Sequence, residues 1–146
     1  MEIKVRFAPS PTGFLHVGGL RTAFFNYLYA KKSGGKIVLR IEDTDQSRKV
    51  ENVIENLIYT FEKLNIQYDE GPIQGGNCGP YYQSGRLSIY NEYIKILLEN
   101  KTAYPCFCSA EKLEKYRKKQ AEAKQTIKYD RHCLKLDPHE AKNKMK

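Results

Sequence analysis

Two short stretches of this 146-residue chain carry side chains able to handle phosphate and carboxylate groups. The first is the loop Ala8-Pro9-Ser10-Pro11-Thr12-Gly13-Phe14-Leu15-His16-Val17-Gly18-Gly19. Its glycines let backbone approach a ligand closely, and the helix expected after it offers unpaired N–H groups to phosphate. His16, just before Gly18-Gly19, can donate to a phosphoryl oxygen. No Gly-Lys-Ser/Thr follows, so the loop is neither a P-loop nor a dinucleotide fingerprint. The second stretch is Arg40-Ile41-Glu42-Asp43-Thr44-Asp45. Its three carboxylates repel one another unless they meet a cation or a basic ligand group, or unless Asp43 or Asp45 caps a helix. A third group is made of cysteines. Cys106-x-Cys108 and, after 24 intervening residues, Cys133 supply three thiolates suited to tetrahedral Zn²⁺, with a fourth ligand to be found. Three unligated cysteines are the alternative. Cys78, in a Gly-rich loop, reads as an ordinary free thiol.

These groups need a scaffold. Ile3 to Phe7 reads as a short strand cut off by Pro9 and Pro11. Leu20, Ala23, Phe24, Tyr27 and Leu28 recur at helical spacing with one buried face, ending at Ser33-Gly34-Gly35. The β-branched run Ile37 to Ile41 suits an interior strand of a parallel sheet. Val50, Val53, Ile54, Leu57, Ile58, Phe61 and Leu64 form the stripe of a second helix. A long Gly/Pro loop spans Tyr68 to Gln83. Leu87, Tyr90, Ile94, Leu97 and Leu98 then mark a third helix, with Ser84 as a possible N-cap. Strand, helix, strand, helix implies an α/β fold with a right-handed βαβ crossover, and ligands then sit beyond the carboxyl ends of the strands. The character changes near residue 103, where a Cys-bearing, Lys-rich stretch begins. The expected division is residues 1–103 and residues 104–146.

Composition narrows the function classes. With 40% hydrophobic and 29% charged residues the chain is an ordinary globular one rather than a disordered one. No apolar run approaches the ~20 residues of a membrane-spanning helix. The first residues lack the apolar core of a secretory signal, and the cysteine spacing reads as a reduced, intracellular metal site, so the expected location is cytoplasmic. The net charge is +8, and most of it is local. Residues 111–146 hold 12 basic and 6 acidic side chains, against 13 and 11 in residues 1–110. A basic segment on a balanced body suits a polyanion such as RNA, or else is a solvated Lys-rich helix face.

Arg6 to Gly19 resembles the first signature of the class I aminoacyl-tRNA synthetases in their glutamyl form, with His16-Val17-Gly18-Gly19 in place of His-Ile-Gly-His. Arg40 to Asp45 is similar to the second block of that family. Tyr68-Asp69-Glu70-Gly71-Pro72 and Gly79-Pro80-Tyr81-Tyr82-Gln83-Ser84 are similar to its third. Ala8-Pro9-Ser10-Pro11-Thr12-Gly13 differs from the Pro-Pro-Glu-Pro-Asn-Gly of glutaminyl relatives and favours glutamate. The resemblance implies the first half of a Rossmann-like parallel-sheet catalytic domain, plus the start of an inserted zinc-bearing subdomain. It implies a glutamate–tRNA ligase that uses ATP with Mg²⁺, L-glutamate and tRNA(Glu), acting as a monomer with no membrane partner. Carried over residue by residue, Arg6 pairs with a substrate carboxylate, Ser10 hydrogen-bonds the amino acid and Glu42 holds its α-ammonium. Ala8, Pro9, His16, Gly18 and Gly19 bind ATP, with His16 and Gly18 the catalytic pair. Asp45 and Arg48 touch the tRNA 3′ end. The family's zinc ligands map to Cys106, Cys108, Tyr129 and Cys133. A His found two residues past the last Cys in other members is Lys135 here, which leaves His132 as the alternative fourth ligand.

Two other readings compete: the paralogue that glutamylates a modified base in a tRNA anticodon, and a non-catalytic zinc- and RNA-binding module. The Tyr68 to Ser84 segment favours the full synthetase over the first. Intact Arg6, Ser10, His16 and Glu42 argue against the second. The family's second ATP signature, Lys-Met-Ser-Lys-Ser, is not found in these residues, and Lys142-Asn143-Lys144-Met145-Lys146 does not substitute for it. The expectation is therefore an N-terminal portion, inert when isolated because that signature and the second half of the nucleotide fold are missing, and poorly soluble because a parallel sheet edge is open.

Overall fold

The computed structural model describes residues 2–145, and within them two strands and five helices organise the chain. Strand β1 (Lys4–Phe7) and strand β2 (Lys36–Leu39) pair in parallel, with Lys4 opposite Lys36 and Phe7 opposite Leu39. Parallel neighbours need a crossover, and helix α1 (Val17–Lys32) supplies it. It begins three residues earlier than its apolar spacing suggests, because His16 caps it: the Nδ1 atom accepts the Gly18 N–H at 3.1 Å. Two glycines of poor helix propensity thus enter the first turn. The helix ends at Ser33, and Gly34 turns the chain at φ +60°, a left-handed conformation that glycine adopts without a Cβ penalty.

Helix α2 (Val53–Lys63) is shorter than the sequence stripe. Val50 lies outside it and half-exposed, and a 3-10 turn (Gln46–Arg48) and a left-handed Asn52 intervene. The core joins Phe7, Ile37, Leu39 and Ile41 from the strands and their extension to Ala23 and Ala30 of α1 and Leu57 and Phe61 of α2. Ile66 and Tyr68 complete it. Only the small alanines of α1 are fully buried, and Phe24 and Leu28, expected inside, are exposed.

The Gly/Pro segment after Tyr68 is more ordered than its composition suggests. Glu70 forms a parallel bridge with Val38, and Tyr82 one with Ile41, so this segment flanks β2 as an irregular third strand. Helix α3 (Leu87–Glu99) follows a 3-10 turn (Gln83–Arg86) and buries none of its residues, contrary to the expected inner stripe. Ser84 does not cap it. Its N–H and hydroxyl both donate to the Asp43 carboxylate, at 2.8 and 2.6 Å.

The chain forms two compact units, one reaching to Tyr90 and the other starting at Asn91, so the break falls within α3, before the compositional change near residue 103. The second unit contains helix α4 (Ala110–Glu122), capped by the Ser109 hydroxyl, a 3-10 turn (His132–Lys135) and helix α5 (Pro138–Lys144). No helix among the described residues is long and apolar enough to cross a membrane.

Candidate functional site

Beyond the ends of β1 and β2 the parallel ladder continues through the two chemistry-bearing stretches. The Arg40 N–H donates to the Phe7 carbonyl at 3.0 Å, and the Glu42 N–H to the Pro9 carbonyl at 2.9 Å. The Val50 N–H adds a third tie, to the Pro11 carbonyl at 3.0 Å. These bonds bring the loop of residues 8–19 against the acidic stretch at one sheet edge, where open α/β folds bind ligands.

Arg6 and Glu42 meet there. The Arg6 Nη1 donates to Glu42 Oε1 at 2.9 Å, and the Arg40 Nη2 reaches the same oxygen at 3.0 Å. Two guanidinium donors on one oxygen hold the carboxylate in a fixed orientation. Ser10 is exposed, and Ala8 and Pro9 are partly buried. Beneath the loop a cavity of about 360 Å³ opens, lined by Phe7, Pro9, Ser10, His16, Gly19 and Ile41 among others.

At the far end of the loop, His16 heads α1. With Nδ1 accepting from Gly18, the neutral ring carries its proton on Nε2, which is left to donate. The first turn of α1 has no acidic side chain to cancel the partial positive charge of the helix N-terminus. The position suits Gly18. A Cβ there would lie 2.9 Å from Cε1 and 3.0 Å from Nδ1 of His16.

The remaining carboxylates are engaged locally. Asp45 accepts from the Ser47 hydroxyl at 2.8 Å and from Arg48 Nε at 2.7 Å, which hold it below its ordinary pKa. It makes no side-chain cap bond. For Asp43, burial raises the pKa, but the Ser84 hydroxyl and N–H outweigh it and leave the carboxyl below its ordinary value. Asp43 therefore fastens the second stretch to the 3-10 turn that precedes α3, 41 residues away.

Glu70 is the buried charge of the unit, 5% exposed. Lys4 Nζ reaches its Oε1 at 2.7 Å, while the Tyr81 hydroxyl and the Cys78 N–H donate to Oε2 at 2.8 and 2.9 Å. Lys4 above all, then Tyr81, hold the Glu70 carboxyl down to about 2. The sequence offered this glutamate only as part of a motif. Its strand-edge register opposite Val38 is what makes it a hub. Cys78 is an exposed free thiol, with the Lys4 ammonium 3.5 Å from its sulfur.

In the second unit the Sγ atoms of Cys106, Cys108 and Cys133 lie within 4.8 Å of one another. Cys108 and Cys133 sulfurs are 3.6 Å apart, and the Tyr129 hydroxyl is 3.3 Å from Cys106 and 3.6 Å from Cys108. Zn–S bonds of about 2.3 Å in a tetrahedron separate sulfurs by about 3.8 Å, so this donor set fits a zinc ion. Tyr129 also accepts the Cys133 N–H at 3.3 Å, whereas no His132 nitrogen belongs to the cluster. The Tyr129 hydroxyl and then the Phe107 N–H pull the Cys133 thiol down to about 7, toward the thiolate a metal requires. Cys106, then Cys133, push the Tyr129 hydroxyl the other way.

Parallel strands joined by a crossover helix, with a Gly-bearing helix N-terminus beyond the strand ends, make an α/β unit of the nucleotide-fold class. Residues 2–146 match the family described as tRNA synthetases class I (E and Q), catalytic domain, and the chain belongs to that family. It is 51% identical to Glutamate–tRNA ligase of Clostridioides difficile, over all of this chain and 31% of that protein. It is 56% identical to Glutamate–tRNA ligase of Chlorobaculum parvum, over 93% of this chain and 27% of that protein. The crystal structure of a glutamate tRNA ligase from Elizabethkingia meningosepticum, in complex with its amino acid, superimposes with a TM-score of 0.90 at 38% identity, covering 99% of this chain and 30% of that one. The chain thus spans about 30% of the length of the relatives it matches.

Proposed function

We propose that this chain carries the glutamate- and ATP-binding face of a glutamate–tRNA ligase. The observation that carries the reading is the extended ladder, Arg40 to Phe7 and Glu42 to Pro9, which sets the Arg6–Glu42 pair beside the loop that ends in His16 and Gly18. Arg6, freed from Glu42, takes a carboxylate of L-glutamate with its fork of donors. Glu42 then receives the α-ammonium, and Ser10 hydrogen-bonds the amino acid. Ala8 and Pro9 line the nucleotide, and the His16 Nε2–H with the Gly18 and Gly19 backbone binds the phosphates of ATP, which arrives with Mg²⁺.

The glutamate α-carboxylate attacks the α-phosphorus in line, the bond to pyrophosphate breaks, and glutamyl-adenylate forms. The terminal 2′-hydroxyl of tRNA(Glu) then attacks the activated carbonyl and AMP leaves. The residues contribute positioning and donors aimed at phosphate charge, with no covalent enzyme intermediate. Asp45 and Arg48, paired at 2.6 Å, lie on the stretch assigned to the tRNA 3′ end. Cys106, Cys108, Tyr129 and Cys133 would hold a structural Zn²⁺, which ties the ends of the Lys-rich α4 segment together beside the acceptor stem. The enzyme works in the cytoplasm as a monomer.

The test is glutamate-dependent exchange of pyrophosphate into ATP by the full-length gene product, run with and without tRNA(Glu). Glutamate-dependent exchange is expected in at least one of the two. Exchange driven by another amino acid, or none at all, would overturn the assignment.

A further inference from the structure

Arg40 has no role in the reading above, yet its geometry is unusual. Its side chain is 22% exposed, half the exposure of Arg6, and its one ion pair among the described residues is with Glu42. Its Nε is buried with no hydrogen-bond partner. The buried Nε of Arg86 is also without a partner, but the Arg86 guanidinium is spent on backbone carbonyls, so what sets Arg40 apart is where its other donor points. Here the guanidinium forgoes one donor and points Nη2 at Glu42 Oε1. The backbone leaves little freedom to do otherwise, since the Arg40 N–H is fixed to the Phe7 carbonyl.

Both cationic contacts of Glu42 fall on Oε1, one from Arg6 and one from Arg40. The two arginines are not equivalent. Arg6 is the penultimate residue of β1 and its side chain is the more exposed, so it can swing to an incoming carboxylate. When it does, Arg40 is the cation that Glu42 keeps among the described residues. We propose that Arg40 is a positioning residue for the substrate ammonium: it holds Glu42 by Oε1 and so keeps the carboxylate turned with Oε2 toward the ligand while Arg6 is away. The inference rests on the assignment of Glu42 to the glutamate α-ammonium.

The experiment measures dissociation constants for L-glutamate and for ATP separately, by calorimetry on the full-length gene product. It compares the native enzyme with R40M, R40K, E42Q and the double variant R40M/E42Q. Losing one charge-assisted hydrogen bond should weaken glutamate binding about tenfold in R40M while ATP binding changes by less than about twofold. R40K keeps the charge without the fork and should fall between. In the E42Q background, R40M should add less than about twofold, because the group it acts through is neutral.

An equal loss in both backgrounds, or an equal loss for ATP, would assign Arg40 to the fold and overturn the proposal. So would unchanged glutamate binding in R40M alongside a loss in E42Q, which leaves the glutamate reading standing. Unchanged binding in E42Q would instead refute the assignment of Glu42 itself. If methionine at position 40 prevents folding, R40K and R40K/E42Q form the same cycle.

Discussion

Replacing Gly18 by alanine separates the ligand site from the fold. The added Cβ would sit 2.9 Å from His16 Cε1, whereas carbon atoms in comfortable contact lie about 3.5 Å or more apart. The imidazole must therefore retreat by about 0.6 Å, which stretches the 3.1 Å Nδ1 bond beyond hydrogen-bonding range. Losing that cap costs about 1 kcal/mol, while alanine in place of glycine in the first turn returns up to about 1 kcal/mol of helix propensity. Stability should hardly change. On the proposed assignment ATP binding should change a great deal, because the displaced His16 Nε2 no longer points at the phosphates, even though the Gly18 N–H is released from Nδ1. The loss of one hydrogen bond to a charged group corresponds to roughly tenfold to a hundredfold in affinity. Urea unfolding and ATP titration of the same purified variant give both numbers. Unaltered ATP affinity in a folded G18A protein would refute the assignment of this helix end to the nucleotide.

Three other outcomes follow from the packing. Glu70 has its carboxyl depressed to about 2 by Lys4, so the stabilisation from this network should be complete above about pH 4.5 and disappear as pH falls toward 2; urea midpoints against pH should show that decline, and E70Q should flatten it. Phe61, 1% exposed and packed 5.9 Å from Phe7 and 6.4 Å from Tyr68 between ring centroids, should cost about 3–5 kcal/mol when replaced by alanine, read from denaturant unfolding. Gln120 grips the Lys128 backbone at both ends, with its Nε2 donating to the carbonyl at 3.0 Å and its Oε1 accepting the N–H at 3.1 Å, and so sets the position of the adjoining Tyr129. Q120A should weaken zinc binding about tenfold in competition with a chromophoric chelator, as loss of an outer-shell support does.

Periodicity in the sequence located β1, β2 and the bodies of α1, α2 and α3, since apolar spacing reports burial and helical phase directly. It misplaced the ends. Val17-Gly18-Gly19 read as loop because glycine propensity is poor, and a His16 cap overrode that preference. Val50 fitted the α2 stripe by spacing, yet its N–H is taken by Pro11 before the helix begins. Ser84 had the right type for a cap but serves Asp43, a partner no local rule could name. The Gly/Pro-rich segment after Tyr68 showed no strand pattern, because its pairing with β2 is confined to isolated bridges. At the candidate site, Arg6, Glu42, His16 and Gly18 were legible as residue types in motifs, as were the three cysteines and Tyr129. That Arg40 shares Glu42, and that Lys4 pairs with the buried Glu70, depends on register across the ladder and could be read only from the fold.

The most direct test of the central claim is a titration with a non-hydrolysable analogue of glutamyl-adenylate, which joins both ligands in one molecule. A single site that holds glutamate on Arg6 and Glu42 and nucleotide at His16 and Gly18 should bind the analogue far more tightly than either ligand alone. R6K should weaken the analogue and glutamate while leaving ATP nearly unchanged. An analogue that binds no better than AMP, or an R6K variant equally impaired for all three ligands, would contradict it.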